Sequence, residues 1–233
     1  MAERTLVRLA GGLLVGGFVV NLIATHLHPA GKDDIHPVIF AKYARNDGWV
    51  AIHLVQFAGV VIVLAGFLAL YRALRLRGES PLLTLCALGA TLATAAVWAV
   101  LQGVDGVALK QAVDAWANAS GAQKGIRFAD AETVRWVEWG VNTYFRLLLG
   151  LTVALFGLAI ARTVIMARWL GWVGVAAGLL YMATGVAVGY AGFESGFGDA
   201  AGIPLQLLFV VFVVGVLVAG VRSRDVAGPA AAS

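Results

Sequence analysis

Three of the four histidines lie in one short segment, residues 26–37, which reads HLHPAGKDDIHP. Imidazole and carboxylate groups are common ligands of zinc, copper and iron, and an HxH pair in an extended segment can place two imidazoles on one metal. The candidate metal ligands are therefore His26, His28 and His36. Their spacing matches no defined metal-binding motif, and histidines are common where a chain meets water. We therefore favour interfacial, hydrogen-bonded histidines and expect no tightly bound metal or other cofactor.

A second group of polar residues lies near one end of the apolar stretches described below, at similar heights when counted at about 1.5 Å per helical residue. Polar side chains that face lipid are costly, so these should face the interior of a helix bundle or a water-filled cavity. They could form an outward-facing pocket for a small ligand, or they could tie helix ends together through hydrogen bonds and ion pairs. The candidate ligand-binding residues are His53, Gln56, Gln102, Asp105, Glu138, Asn142, Arg146, Glu194 and Gln206.

Three of these residues, Asp105, Glu138 and Arg146, are also the candidate catalytic residues. Carboxylates can act as general acid and base, here in a membrane-embedded enzyme for a lipophilic substrate. On a helix, Arg135 and Glu138 share a face with Arg146. A buried arginine needs a matching charge, and we expect Asp105 to supply it, with Glu138 or Glu194 as alternatives. Our leading hypothesis is nonetheless a non-enzymatic or accessory protein with a polar site for a small ligand or partner.

The composition indicates that these residues are carried by helices in a membrane. Of the 233 residues, 61% are hydrophobic and 13% charged, and the mean hydropathy is +0.87, whereas a soluble domain is about half apolar and a quarter charged. About 20 apolar residues cross the hydrocarbon core as a helix, and six stretches qualify. They are residues 6–25, 49–74, 82–104, 141–161, 169–191 and 201–221. We predict an all-α integral membrane bundle of six transmembrane helices, forming a single domain over residues 1–233.

The distribution of basic residues predicts how the bundle is oriented, because short cytoplasmic loops carry an excess of lysine and arginine. One side of the predicted bundle has nine basic residues and three acids, and the other has seven basic residues and ten of the thirteen acids. The nine are Arg4, Arg8, Arg72, Arg75, Arg77, Arg162, Arg168, Arg222 and Arg224. We expect both termini in the cytoplasm, the protein in the inner (plasma) membrane, and the polar residues at the outer rim.

The segments on the predicted outer side differ in length and pattern. Residues 25–48 form a connection of about 24 residues. Residues 105–140 show helical spacing of apolar side chains, with a turn marked by Gly121 and Gly125. Spans three and four should therefore extend beyond the bilayer as a helical hairpin. Glycine pairs at positions 12/16, 174/178 and 185/189 predict close helix packing inside the bundle.

Several classes of function are excluded by what the sequence lacks. The predicted spans contain no lysine that could hold retinal as a Schiff base, and no GxSxG or Walker motif occurs. Nucleic-acid binding is not expected, because no soluble basic domain is present. The expected partners are membrane lipids and a small ligand or another membrane protein. The composition, biased towards Gly, Ala, Val and Arg, is typical of a bacterial protein.

Four stretches carry a resemblance that covers nearly the whole chain. They read HPVIFAKYARNDGWVAIHLVQF, WAVLQGVDGVALKQAVDAWA, FADAETVRWVEWGVNTYFRLLLG and GYAGFESGF. In these stretches the chain resembles uncharacterised small membrane proteins of actinobacteria and related bacteria. The resemblance implies a compact multi-helix bundle and implies no activity.

Overall fold

The computed structural model describes residues 2–29, 31, 33–78 and 80–222. These residues form eight α-helices and one π-helical segment, and they include no β-strand. The α-helices are α1 (Glu3–Leu27), α2 (His36–Ala44), α3 (Trp49–Arg77), α4 (Pro81–Gly103), α5 (Lys110–Asn118), α6 (Ala122–Ala161), α7 (Arg168–Ala191) and α8 (Gly196–Arg222), and the π-helical segment is Val104–Leu109. Arg224, one of the predicted cytoplasmic arginines, lies outside the described residues.

Six helical stretches are long and apolar enough to cross a membrane, which confirms the predicted six-span, all-α architecture. They are Glu3–Leu27, Trp49–Leu76, Pro81–Asn118, Ala122–Ala161, Arg168–Ala191 and Gly196–Arg222. Local signals mark some of the boundaries. Pro81 lies in the first turn of α4, where backbone N–H groups have no partner within the helix, so proline is tolerated. Gly78 ends α3 with a φ of 71°, a conformation that favours glycine. The chain is a multi-pass membrane protein.

The predicted helical hairpin is also confirmed. Helix α6 has 40 residues and is therefore roughly 60 Å long, about twice the thickness of the hydrocarbon core. When the second half of α6 crosses the bilayer, the first half therefore extends beyond it. Helix α5 continues from α4 through the π-helical segment and packs beside this first half, and the turn between them contains Gly121 with a φ of 55°.

Close packing between the long helices depends on glycine. A Cβ atom at Gly178 of α7 would lie 2.4 Å from the carbonyl oxygen of Gly150 of α6. The predicted pairs 174/178 and 185/189 both lie in close contacts between helices, with Gly174 packed against Phe212 of α8 as well as against α6. The pair 12/16 has no neighbouring atom within 4 Å of either Cβ position. That prediction was wrong, because α1 turns Gly17 towards α3 instead, where a Cβ atom would lie 2.5 Å from the Gly59 carbonyl oxygen.

A second, smaller core covers one end of the bundle. The sequence predicted a connection between spans one and two, and this connection contains helix α2, which contacts α5. We refer to α2, α5 and residues 122–140 of α6 as the cap. Its buried core residues, together with the first residue of α3 and the last residue of the π-helical segment, are Ile39, Phe40, Tyr43, Trp49, Leu109, Val113 and Ala131. The cap holds the residues of the candidate site between itself and the ends of the spans.

Candidate functional site

The first turn of α3 is joined to the π-helical segment by two polar contacts. His53 is 2% exposed, and its Nε2 atom lies 3.1 Å from Oδ2 of Asp105. The other ring nitrogen, Nδ1, donates to the carbonyl oxygen of Trp49 one turn earlier, at 2.8 Å. The indole N–H of Trp49 in turn donates to the main-chain carbonyl of Asp105, at 3.0 Å. Both the side chain and the backbone of Asp105 are therefore fixed against α3.

Asp105, the partner of His53, lies within the π-helical segment. A π-helical turn accommodates an extra residue and rotates the side chains that follow it, and such turns occur frequently at functional sites. The segment also needs glycine at its closest approach to α3. A Cβ atom at Gly106 would lie 2.7 Å from Cβ of His53, so any larger residue would push the two elements apart.

His28 adds a third polar side chain from a third part of the chain. It directly follows the C-terminus of α1, and its ring centroid lies 4.8 Å from that of Trp49 and 5.1 Å from that of His53. His28, His53 and Asp105 each have one atom that could ligate a metal ion, and these three atoms lie within 4.8 Å of one another. Burial lowers the pKa of His28 below its usual 6.5, against the opposing effect of the Asp105 charge, so its imidazole is neutral at neutral pH.

A buried ion pair lies on α6 within the cap. Arg135 Nη1 donates to Glu138 Oε2 at 2.7 Å, and the two side chains are only 4% and 2% exposed. Arg135 Nη2 also donates to the carbonyl oxygen of Asp33, at 3.1 Å. Its guanidinium carbon lies 4.8 Å from the ring centroid of Phe193. Arg135 therefore connects α6 to two different loops.

The two loops at this end are tied to each other by carboxylates. The carboxylate of Asp34 accepts hydrogen bonds from the backbone N–H groups of Phe193 and Glu194, both at 3.0 Å. The side chain of Glu194 accepts one from the backbone N–H of Asp33, at 2.9 Å. Burial raises the pKa of Asp33 to about 6, although the positive charge of Arg135 opposes the shift. These hydrogen bonds join the loop between α1 and α2 to the loop between α7 and α8.

Comparison with known proteins now identifies the family. Residues 9–221 match the family model described as a domain of unknown function, DUF4386. The chain belongs to the DUF4386 family. No curated protein and no solved structure matches the chain. The match agrees with the resemblance to an uncharacterised family.

Some residues predicted to form the polar layer of this DUF4386 protein come together, and others do not. His53, Asp105 and Glu138 lie at the capped end, as described above. Gln102 is 9% exposed and lies one turn before Asp105, and no hydrogen-bond partner of its Oε1 atom occurs among the described residues. Gln56 is half-buried one turn after His53, whereas Gln206 is exposed on α8.

The predicted ion pair between Arg146 and Asp105 is wrong for the part of the chain that the structure describes. Arg146 Nε donates to the side-chain oxygen of Asn142 at 2.8 Å, and Asp105 contacts His53 instead. The alternative partner Glu138 is engaged by Arg135, which shares the predicted face of α6. The periodicity of α6 placed these residues on one face, but it could not show how that face is rotated against the π-helical segment.

The three candidate metal ligands from residues 26–37 are separated in the structure. His26 is exposed on α1, where its Nδ1 atom donates to the carbonyl of Leu22 in the same helix. His36 is buried at the start of α2, and its Nδ1 atom lies 2.8 Å from Glu132 Oε1. His28 alone joins the cluster with His53 and Asp105. Of the three predicted ligands, His28 is therefore the one that the structure brings next to other candidate metal ligands.

An open cleft lies on the surface of the bundle next to the cap. It has a volume of about 770 Å³ and runs between α6 and α7. Four aromatic side chains contribute to its lining: Trp136, Trp139, Tyr144 and Tyr190. Aromatic residues of this kind are enriched where a membrane protein meets the lipid headgroups. The cleft is therefore consistent with a position of the cap near the membrane–water interface.

Proposed function

We propose that this DUF4386 protein is a ligand-binding protein of the inner (plasma) membrane, with its binding site beneath the cap on the outward side. The observation that supports this function best is the meeting of His28, His53 and Asp105 from three separate parts of the chain. Each of these residues lies at or near the end of a different helix. Helix ends can be tied together by far simpler contacts, so three ionisable groups around one point favour a binding role.

Unsatisfied polar atoms support the same conclusion. Among the described residues, five buried side-chain atoms have no hydrogen-bond partner, and four of the five lie at the capped end. The four are Asp33 Oδ1, His36 Nε2, Gln102 Oε1 and Arg135 Nε. A buried polar atom without a partner costs about 1–3 kcal/mol. Four such atoms at one end of the bundle are available to a ligand or to ordered water.

The orientation rests on charge. Arginines are concentrated at the end of the bundle opposite the cap, as at Arg8, Arg72, Arg162 and Arg222. Such residues are retained on the cytoplasmic side during insertion, so the cap should face outwards. The site then lies on the outward side of the membrane. The enzymatic alternative, with Asp105 and Glu138 as acid and base, has less support because Glu138 is held by Arg135.

Native mass spectrometry of the protein, extracted from its own membrane in mild detergent, tests the binding role. We expect the wild type to carry a small-molecule or ion adduct that is lost in Asp105→Asn, which removes a charge without changing the volume. Asp114→Asn is the matched control, because Asp114 lies on α5 and pairs with Lys110 at the surface. A wild type without any adduct, or an adduct retained equally in both variants, would contradict the proposal.

A further inference from the structure

We propose that the ligand is a divalent first-row transition-metal ion, held by His28, His53 and Asp105. This inference rests on the proposed binding role and names the class of ligand. The donor atoms and their surroundings support this assignment.

The hydrogen bonds of His53 indicate which of its nitrogens faces Asp105 with a lone pair. An imidazole that is neutral carries one N–H and one bare nitrogen. The Nδ1 atom of His53 lies 2.8 Å from the carbonyl oxygen of Trp49 and can only donate to it. The Nε2 atom is then bare, yet it lies 3.1 Å from a carboxylate oxygen, which is also an acceptor. Two acceptors at this distance require a cation between them, either a proton or a metal ion.

His28 has the same arrangement, and this favours a metal over a proton. Its Nδ1 atom lies 2.9 Å from the carbonyl oxygen of Pro29, so its Nε2 atom is also bare. A proton between His53 and Asp105 would satisfy those two residues and would leave the neighbouring imidazole of His28 unexplained. A metal ion accepts lone pairs from all three side chains together. Histidines that bind metal characteristically donate their second ring nitrogen to a carbonyl or carboxylate, as both do here.

The surroundings of the cluster hold it in place without an ion. The indole of Trp49 fixes the backbone of Asp105, and Gly106 allows the π-helical segment to lie directly against His53. The rings of Tyr43 and Trp49 pack around His28. A site whose ligands are already positioned loses little conformational entropy when it binds.

The donor set indicates the class of metal. Two imidazole nitrogens and one carboxylate oxygen are typical of zinc and of non-haem ferrous iron. Calcium and magnesium prefer sites made of oxygen ligands alone, and the single cysteine, Cys86, lies at the surface of α4. Three protein ligands also leave at least one coordination position for water or for a further ligand.

Titration with zinc chloride tests this assignment on the purified protein in detergent, after a chelator has removed any bound metal. We expect one zinc ion per chain, measured by elemental analysis after dialysis. His28→Gln should weaken the affinity about 100-fold or more, because even groups that only orient metal ligands change affinity by 10–100-fold. His26→Gln is the matched control, since His26 is exposed and bonded within its own helix, and it should bind zinc like the wild type.

His28→Gln is the informative variant because its loss breaks no hydrogen bond between helices: the side chain donates only to the adjacent residue, Pro29. Without zinc its thermal unfolding midpoint should match that of the wild type. With zinc the wild-type midpoint should rise, as any ligand specific for the folded state requires, and that of the variant should stay unchanged. Zinc bound well below one per chain, or bound equally by His28→Gln, would overturn the assignment.

The two proposals fail in different ways. An organic adduct that Asp105→Asn releases, in a protein that binds no zinc, would preserve the binding role and refute the metal. A wild type that binds neither an adduct nor zinc would refute both. Cobalt chloride provides an independent readout, because cobalt held by nitrogen and oxygen ligands in a tetrahedral site absorbs visible light, and that absorption should be missing from His28→Gln.

Discussion

The buried ion pair between Arg135 and Glu138 allows the largest stability effect in the cap to be predicted. Arg135→Met keeps most of the side-chain volume and removes the charge. It leaves the Glu138 carboxylate, which is 2% exposed, without the donor that now lies 2.7 Å away. Breaking a buried pair by removing one partner costs about 3–5 kcal/mol, because the remaining charge is neither solvated nor compensated. We expect a loss of this size in the free energy of unfolding.

A double-mutant cycle separates the pair from the other contacts of each residue. Glu138→Gln in the Arg135→Met background removes the uncompensated charge and should restore about 2–3 kcal/mol, the upper range for residues in direct contact. Part of the loss should persist, because Arg135 also donates to the Asp33 carbonyl. Unfolding in mixed micelles of a mild detergent and sodium dodecyl sulfate gives the four free energies.

The same helix provides a matched control. Arg127 and Asp130 have the same three-residue spacing and an N–O distance of 3.1 Å, but both side chains are 51% exposed. An exposed pair of this kind contributes less than about 0.5 kcal/mol. Burial should therefore make the coupling several times larger at Arg135 and Glu138. Equal coupling energies in the two cycles, or additive effects within error in the buried one, would show that burial does not strengthen the Arg135–Glu138 pair.

Three further predictions concern the approach of the π-helical segment, pH dependence and orientation. Gly106→Ala should lower the free energy of unfolding by about 1–3 kcal/mol, because its Cβ atom has no room, whereas Gly103→Ala, with open space around its Cβ position, should not be destabilising. The pKa of Asp33 is raised in the folded protein, so its contribution to stability is complete below pH 3.8 and is lost as the pH rises through about 6. Asp33→Asn should therefore unfold at a higher temperature than the wild type above pH 6, and the two unfolding temperatures should converge at low pH. In intact cells that carry Cys86→Ala, a membrane-impermeant thiol reagent should label Lys124→Cys and should not label Arg75→Cys. The reverse result would invert the orientation.

The membrane spans could be predicted from the sequence because their length and hydrophobicity are imposed by the bilayer. The predicted stretch 82–104 corresponds to α4 at Pro81–Gly103, and the predicted end at residue 161 is the last residue of α6. The hairpin followed from apolar spacing that continued without a break into span four. These features depend on one helix at a time, which is the information that periodicity contains.

Helix α2 and the partner of Asp105 could not be predicted in the same way. Helix α2 has nine residues, and a helix this short is stable only through the surface on which it packs. Asp105, which contacts His53, lies in a π-helical segment, and no pattern in the sequence marks such a segment. Gly106 was the available signal, since a glycine inside a helical pattern often indicates close approach of another element.

Diffraction data collected on both sides of the zinc absorption edge, from crystals grown with zinc chloride, would test the binding site most directly. We expect an anomalous peak among His28, His53 and Asp105, about 2.0–2.2 Å from an imidazole nitrogen of each histidine and from a carboxylate oxygen. Density without an anomalous signal at the same place would retain the site and exclude the metal. An empty site, with Nε2 of His53 still in direct contact with Asp105, would contradict the metal site and leave these residues as a link between helices.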